Sequence, residues 1–320
     1  MRIALGSLLL LCAGSGLAQD ERAAFVAQTA HDFALENAQI EAGLAAASYQ
    51  QEIIDAITRP AEGKPWSAYR PIFLTAARIA DGRAFMAEHQ AALAAVQADT
   101  GVPAQIIVAI LGIETNYGRN RGRYRVLDAL YTLGFHYPPR QAFFRKELGE
   151  LFALANEEAL DLNTLQGSYA GAMGWGQFMP SSYRRYARDG DGDGKRDLFA
   201  SLPDVFASVA NYFIAHHWQP GQPVVVRADA AAIAVPPEQA SYEPGFTLAE
   251  LANSGFRPRT AVGHDLPASL IALEGSDGPE YWLGFANFYS ITRYNRSPMY
   301  AMAVYQLSQE LAVAAPMVAP

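Results

Sequence analysis

The stretch Ile106–Ile113, "IIVAILGI", is apolar at every position except the small Gly112, so a helix built from it has no face that can meet water. Other elements must wrap around it. The sequence therefore predicts a buried central helix in a mainly α fold. Asp99 and Thr100 are N-cap residue types and Pro103 suits a first helical turn, so the helix is expected to open there and to stop near Gly118. Glu114 follows the apolar run and shares the face of Ile110 and Leu111. Burial and the negative end of the helix dipole both favour its neutral form. An acid still protonated near neutral pH can donate a proton to a leaving oxygen, the general-acid step of glycoside cleavage. The plainer reading is a solvated glutamate paired with Arg119, Arg121, Arg123 or Arg125. Those arginines read as a solvated loop or as contacts for carboxylates on a peptide-bearing polymer.

Alanine-rich amphipathic patterns fill residues 20–100, with "ITRPAEGKPWSAYRP" as a turn-rich, partly extended connection between them. Helical patterns continue from Val102 to Trp218. Pro220, Pro223, Pro236 and Pro237 then mark a change of texture, and "PVVVRA", "SLIALE" and "EYWLGF" read as short strands. An amphipathic helix, "SPMYAMAVYQLSQELAVA", closes the chain.

A second informative stretch is "GSYAGAMGWGQFMPSSY", Gly167 to Tyr183. Its glycines and alanines let a ligand approach the backbone. Tyr169, Trp175 and Phe178 offer flat faces for sugar rings, and Ser168 and Gln177 offer hydrogen-bonding groups. Taken alone, this stretch is equally well a tight helix hairpin. It is no dinucleotide fingerprint, because Gly174-x-Gly176 lacks the third glycine and the preceding strand.

The pattern "DGDGDGKRDLFA" places Asp189, Asp191 and Asp193 at positions 1, 3 and 5 of an EF-hand-like calcium loop, Gly194 at position 6, and the Lys195 carbonyl at position 7. Position 12, where a glutamate belongs, is Ala200. Close like charges repel without a cation, which favours a metal over an acidic surface turn.

A helix ending in "ETNYG" followed about fifty residues later by "GAMGWGQFMPSS" resembles the lysozyme-like domain of lytic transglycosylases. "DGDGDGKRDLF", "SVANYF" and "ITRYNRSPMYAMAV" are similar to the membrane-bound lytic murein transglycosylase B branch. The resemblance spans roughly residues 25 to 310. It implies cleavage of the β-1,4 bond between N-acetylmuramic acid and N-acetylglucosamine in peptidoglycan without added water, leaving a 1,6-anhydromuramic acid end. It assigns Glu114 as acid and then base. Tyr117, Ser168, Gln177, Tyr212, Tyr294, Asn295 and Tyr300 match sugar-contacting or cleft-lining positions. For the calcium loop it offers Asp204 as the late carboxylate, with Asp197 as fallback. The residues agree with a single acid. Asp128, Glu157 and Glu158 fit helix caps or solvated faces better than the second carboxylate of a hydrolase. The muramic acid's own C6 hydroxyl then serves as nucleophile.

The formal net charge of −8 disfavours nucleic acid as a partner. His216 and His217 are adjacent and point to different helix faces, so they make no metal pair, and no Gly-x-Ser-x-Gly elbow or P-loop occurs. No organic cofactor is expected. Arg2, the apolar run from Ile3 to Cys12 and Gly16-Leu17-Ala18 read as a signal peptide, too short to span a bilayer as a mature helix. Cleavage after Ala18 removes the one cysteine, Cys12. Lipid attachment there is disfavoured by the bulky Leu11. The expected organisation is a leader at 1–18, a helical domain at 19–100, a lysozyme-like core at 101–218 carrying the calcium loop at 189–204, a β-containing insertion at 219–285, and a C-terminal helical segment at 286–320. The protein is expected to be a periplasmic monomer with no transmembrane segment in the mature chain. Peptidoglycan strands are its expected partner, and cell-wall synthesis proteins are candidate recruiters. The rivals are a hydrolytic muramidase and a non-catalytic, calcium-stabilised wall-binding protein.

Overall fold

The computed structural model describes residues 11–59, 63–262 and 266–313, with side chains from residue 19 onward. The leader expected at 1–18, Cys12 included, falls outside that side-chain description. In chain order the helices are α1 (Leu11–Phe33), α2 (Asn37–Ala46), α3 (Gln51–Ile57), α4 (Trp66–Phe73), α5 (Ala76–Glu88), α6 (Gln90–Thr100), α7 (Ala104–Thr115), α8 (Val126–His136), α9 (Gln141–Glu158), α10 (Pro180–Tyr186), α11 (Leu202–Ala215), α12 (Leu248–Asn253), α13 (Ala286–Tyr294) and α14 (Pro298–Ala312). The strands are β1 (Tyr124–Arg125), β2 (Gln166–Gly167), β3 (Val225–Ala230), β4 (Phe256–Pro258), β5 (Ser269–Gly275) and β6 (Gly278–Gly284).

The chain forms two compact units from interleaved segments. One comprises residues 1–59, 122–173 and 178–184, the other 60–121, 174–177 and 185–320. The sequence segments 19–100 and 101–218 are thus each shared between units.

In the first unit α8 and α9 pack as a pair, with α1 laid on α9 and α3 on α8. Phe25 of α1 meets Phe135 edge-on at 5.6 Å. Asp128 of α8 accepts from Arg125 at 2.5 Å and from the Ser48 amide at 2.7 Å. Its charge is thus committed to holding the α2–α3 turn.

The second unit is built around α7, flanked by α5, α6, α11 and α14. Residues Ile106 to Ile113 are all buried, as their unbroken apolarity requires. Asp99 and Thr100 do not cap this helix. They end α6, which Gly101 terminates at φ +68°, and Pro103 occupies the N-cap of α7. Part of the connection read as extended is also helical. Trp66–Phe73 forms α4 with Pro71 inside it, held by the fully buried Trp66 near its start.

The inserted β region is a four-stranded antiparallel sheet of order β4-β3-β6-β5. The three strands legible in the sequence are β3, β5 and β6. The short edge strand β4 joins them through Phe256, which is buried with Leu251, Leu270, Leu283 and Phe285. Among the described residues no single helix is long and apolar enough to cross a membrane.

Candidate active site

Glu114 is the last residue but one of α7. Its carboxylate is half-buried, and Oε1 accepts a hydrogen bond from the Tyr300 hydroxyl at 2.5 Å. Burial pushes the Glu114 pKa up to about 7, against the opposing pull of that hydrogen bond. The sequence expectation of an acid able to hold its proton near neutrality thus has a concrete physical cause.

Tyr300 stands on the first turn of α14 and is 3% exposed. The Ser297 side chain caps α14 by accepting from the Tyr300 amide, and Asn295 Oδ1 in turn accepts from the Ser297 amide at 3.1 Å. The segment "RYNRSPMY" is therefore a cap that aims a phenol at the acid. Tyr294, at the end of α13, donates to the Gly176 carbonyl at 2.6 Å. Burial and the neighbouring Glu114 hold both phenols, Tyr294 and Tyr300, well above the ordinary tyrosine range, so they remain hydrogen-bond donors. Tyr212 on α11 donates to the Arg293 carbonyl at 2.6 Å and lies 4.7 Å from the Tyr294 ring.

The backbone after Glu114 turns sharply. Asn116, Tyr117 and Gly118 have φ of +50°, +57° and +80° in succession. A side chain on Gly118 would meet the Trp175 ring at 2.4 Å, which explains glycine at the end of "ETNYG". Tyr117 is buried, with its hydroxyl donated to the Arg78 carbonyl at 2.9 Å and its ring stacked on Phe85. It braces the helix end against α5. Thr115 links the two motifs. Its hydroxyl reaches the Leu111 and Trp175 carbonyls, each at 3.1 Å, and accepts from the Gly118 amide at 3.0 Å.

Gln177 holds φ +50°, and its amide nitrogen donates to the Gly174 carbonyl at 2.9 Å and the Arg121 carbonyl at 3.2 Å. Those bonds orient the Oε1 acceptor. Trp175 donates through Nε1 to the Phe199 carbonyl, and Arg121 lies 5.8 Å over its ring. In the first unit Ser168 Oγ accepts from the Ala170 and Ala172 amides, closing a tight turn, while the neighbouring Tyr169 is 39% exposed. Phe178, read as a possible sugar platform, is instead buried.

The acidic loop gathers ligand oxygens from Asp189, Asp191 and Asp204 within 4.8 Å of one another. Asp204 is fully buried at the start of α11 and accepts from the Gly190 amide at 2.8 Å and the Asp197 amide at 2.6 Å. Asp197 instead caps the next turn through the Phe199 and Ala200 amides. Asp193 and Lys195 lie in the same loop outside the three-carboxylate group, with Asp193 Oδ1 accepting from the Lys195 amide. Converging carboxylate oxygens suit a hard divalent cation such as calcium.

Sequence reasoning missed the helix that carries Tyr69, α4, which packs on α14, and it missed Thr115. Tyr69 was hidden by reading its segment as a linker. Thr115 is adjacent to the acid, but only the fold reveals its reach to Trp175.

A half-buried acid, a phenol partner and an aromatic wall on a lysozyme-like helical core define a class of glycan-cleaving enzymes. The transglycosylase SLT domain family matches residues 18–309, and the chain belongs to that family. It is 44% identical over 249 residues, 78% of this chain and 68% of the relative, to membrane-bound lytic murein transglycosylase B of Escherichia coli (strain K12). Its structure is similar to that of the soluble lytic transglycosylase SltB1 from Pseudomonas aeruginosa, with 47% identity and a TM-score of 0.84 over 91% of this chain and 98% of that one. It is also similar to the Escherichia coli lytic transglycosylase Slt35 in complex with calcium, with 39% identity and a TM-score of 0.83 over 91% and 92% of the two chains.

Proposed function

We propose that the chain is a peptidoglycan lytic transglycosylase that cuts the N-acetylmuramic acid–N-acetylglucosamine bond and leaves a 1,6-anhydromuramic acid end, with Glu114 as its one catalytic acid. The observation that carries this reading is the half-buried Glu114 carboxyl, raised to about 7 and hydrogen-bonded by Tyr300. Burial raises the proton affinity of this carboxyl, and the phenol lowers it. A hydrolase of the usual kind needs two carboxylates. A single acid suffices when the sugar supplies its own nucleophile.

Glu114 protonates the departing glycosidic oxygen. Its anion then accepts the proton of the muramic acid C6 hydroxyl as that oxygen bonds to C1 and closes the anhydro ring. The Tyr300 hydroxyl steadies the anion between the two steps. Gln177 and Asn295 offer hydrogen-bonding groups to the sugar. Tyr212 and Tyr294 form the aromatic wall, and Tyr117 braces the end of α7. Ser168 and Tyr169 enter as sugar contacts on the strength of their motif.

Asp189, Asp191 and Asp204 would hold a structural calcium ion, with Asp193 and the Lys195 carbonyl as further donors from the loop. The crystallised relative with calcium supports this assignment. Residues 1–18 read as an export leader, and the mature chain is proposed to act in the periplasm, as a monomer, on peptidoglycan strands. Wall-synthesis proteins are candidate recruiters.

The test is the mass of the products released from purified sacculi, run beside Glu114→Gln. Anhydro ends are one water lighter than hydrolysed ends. Ordinary reducing ends would replace this reading with a muramidase, and cleavage retained in the variant would remove Glu114 from its role.

A further inference from the structure

The end of α7 is gripped from α5, and the grip converges on one arginine. The Tyr117 amide donates back to the Leu111 carbonyl at 3.1 Å, so the residue three places after Glu114 closes the same turn that carries the acid. Closing it this way sets Tyr117 in the left-handed region, at φ +57°. Asparagine, here Asn116, tolerates that region. A bulky aromatic residue there is strained and persists only where its surroundings fix it.

Those surroundings form a socket. A Cβ on Gly112 of α7 would stand 2.7 Å from the Tyr117 hydroxyl. One on Gly82, in the middle of α5, would overlap that hydroxyl and meet Leu311 at 2.6 Å. Glycine is a poor residue for a helix interior. Two of them against one phenol mark a slot shaped for it. Arg78 closes the rim. Its carbonyl accepts the phenol's proton, its Nε donates to Asn116 Oδ1 at 3.4 Å, and its Nη1 donates to the Ile72 carbonyl at 2.7 Å. Its guanidinium lies 5.4 Å over the Phe73 ring, and its amide donates to the Thr75 hydroxyl that caps α5. Three residues further along α5, Asp81 pairs with Arg119. Arg78 thus joins the end of α4, the start of α5 and both left-handed residues that follow the acid's turn. All of these residues lie in one compact unit.

We propose that Arg78 is a positioning residue for Glu114. Through Asn116 and the socketed Tyr117 it fixes the last turn of α7, so that the carboxyl meets the Tyr300 hydroxyl. Tyr117 then serves the reaction from inside the fold, without touching the sugar. The proposal rests on the reading of Glu114 as the catalytic acid.

Arg78→Met keeps the aliphatic stem and removes the donors. On soluble glycan strands kcat should fall about ten-fold while KM stays within about two-fold, because the reacting carboxyl is misplaced and the sugar contacts are not. Leu44→Ala, a buried change in the other unit, is the control for lost stability. Assayed well below its melting temperature, it should keep the parental kcat. An unchanged kcat in Arg78→Met, or an equal loss in Leu44→Ala, overturns the positioning role. Melting curves test the socket without any activity. Gly112→Ala should lower the melting temperature of the parent but not of Tyr117→Ala, whereas the same drop in both overturns the socket. Cleavage retained in Glu114→Gln would instead remove the acid from its role, and the melting cycle would still report on the grip.

Discussion

The Thr115 hydroxyl lies 3.1 Å from the Trp175 carbonyl, so the residue that follows Glu114 is tied directly to the turn that carries Gln177. Both partners belong to one compact unit, and Thr115 is 1% exposed. The acid and its facing loop are therefore held in register by one hydroxyl.

Replacing that hydroxyl gives the first prediction. Thr115→Val keeps the shape but leaves the Trp175 carbonyl and the Gly118 amide without this partner, at a cost of about 1–3 kcal/mol. Turnover should drop roughly ten-fold through misplacement of the acid. Thr115→Ser should restore most of the rate. Steady-state kinetics on sacculi, with melting curves for all three proteins, check this. Equal turnover for Val and Ser at equal stability would dissociate the contact from catalysis.

The pH profile provides the second. Glu114 must be protonated to donate, so the rate should fall as pH rises through about 7. The Tyr300 hydrogen bond pulls that value down. Tyr300→Phe should therefore slow turnover and move the alkaline limb to higher pH. A limb that stays fixed or moves toward acid would show that the phenol does not tune the acid.

Stability should carry the same signature with the opposite beneficiary. The folded-state pKa of Glu114 is raised from 4.5 to about 7, so the folded protein binds more protons than the unfolded chain in that window. Its contribution to stability is present below about 4.5 and is lost as pH climbs through about 7. Glu114→Gln removes this loss. The variant should be more stable than the parent at pH 8, by about 1–3 kcal/mol, and nearly equal to it at pH 4. Denaturant titrations at the two pH values decide the matter.

Calcium should stabilise the fold without touching the chemistry. Saturating calcium at about 100 times its dissociation constant would add about 2.7 kcal/mol. A chelator should lower the melting temperature of the parent. Asp204→Asn, which changes the buried member of the carboxylate group, should abolish that response, whereas Asp193→Asn should weaken it less. Identical melting with calcium and with chelator would exclude the site.

The main outlines of this site are legible in the sequence because they rest on local chemistry. The apolar run fixes α7 as the buried helix, and Glu114 follows from its position on that helix. Gly118 is required by the positive φ and by the Trp175 ring. The carboxylate spacing marks the candidate cation loop, but only the fold separates Asp204, in the first turn of α11, from Asp197, in the irregular chain before it. What stayed hidden depends on tertiary contact. Tyr117 follows the acid by three residues, yet its hydroxyl is donated to the Arg78 carbonyl. Tyr300 is named by its motif, but its bond to Glu114 exists only because α14 packs on α7. The strand β4 is too short to carry a period, and α4 was masked by its prolines.

The acid and its phenol partner are 186 residues apart along the chain, and the phenol rides on the last described helix. A nascent or clipped polypeptide that stops before Ser297 would own a proton donor with no companion to tune it and no α14 against which to seat α7. An incomplete polypeptide would therefore lack both the hydroxyl and the packing face on which Glu114 depends.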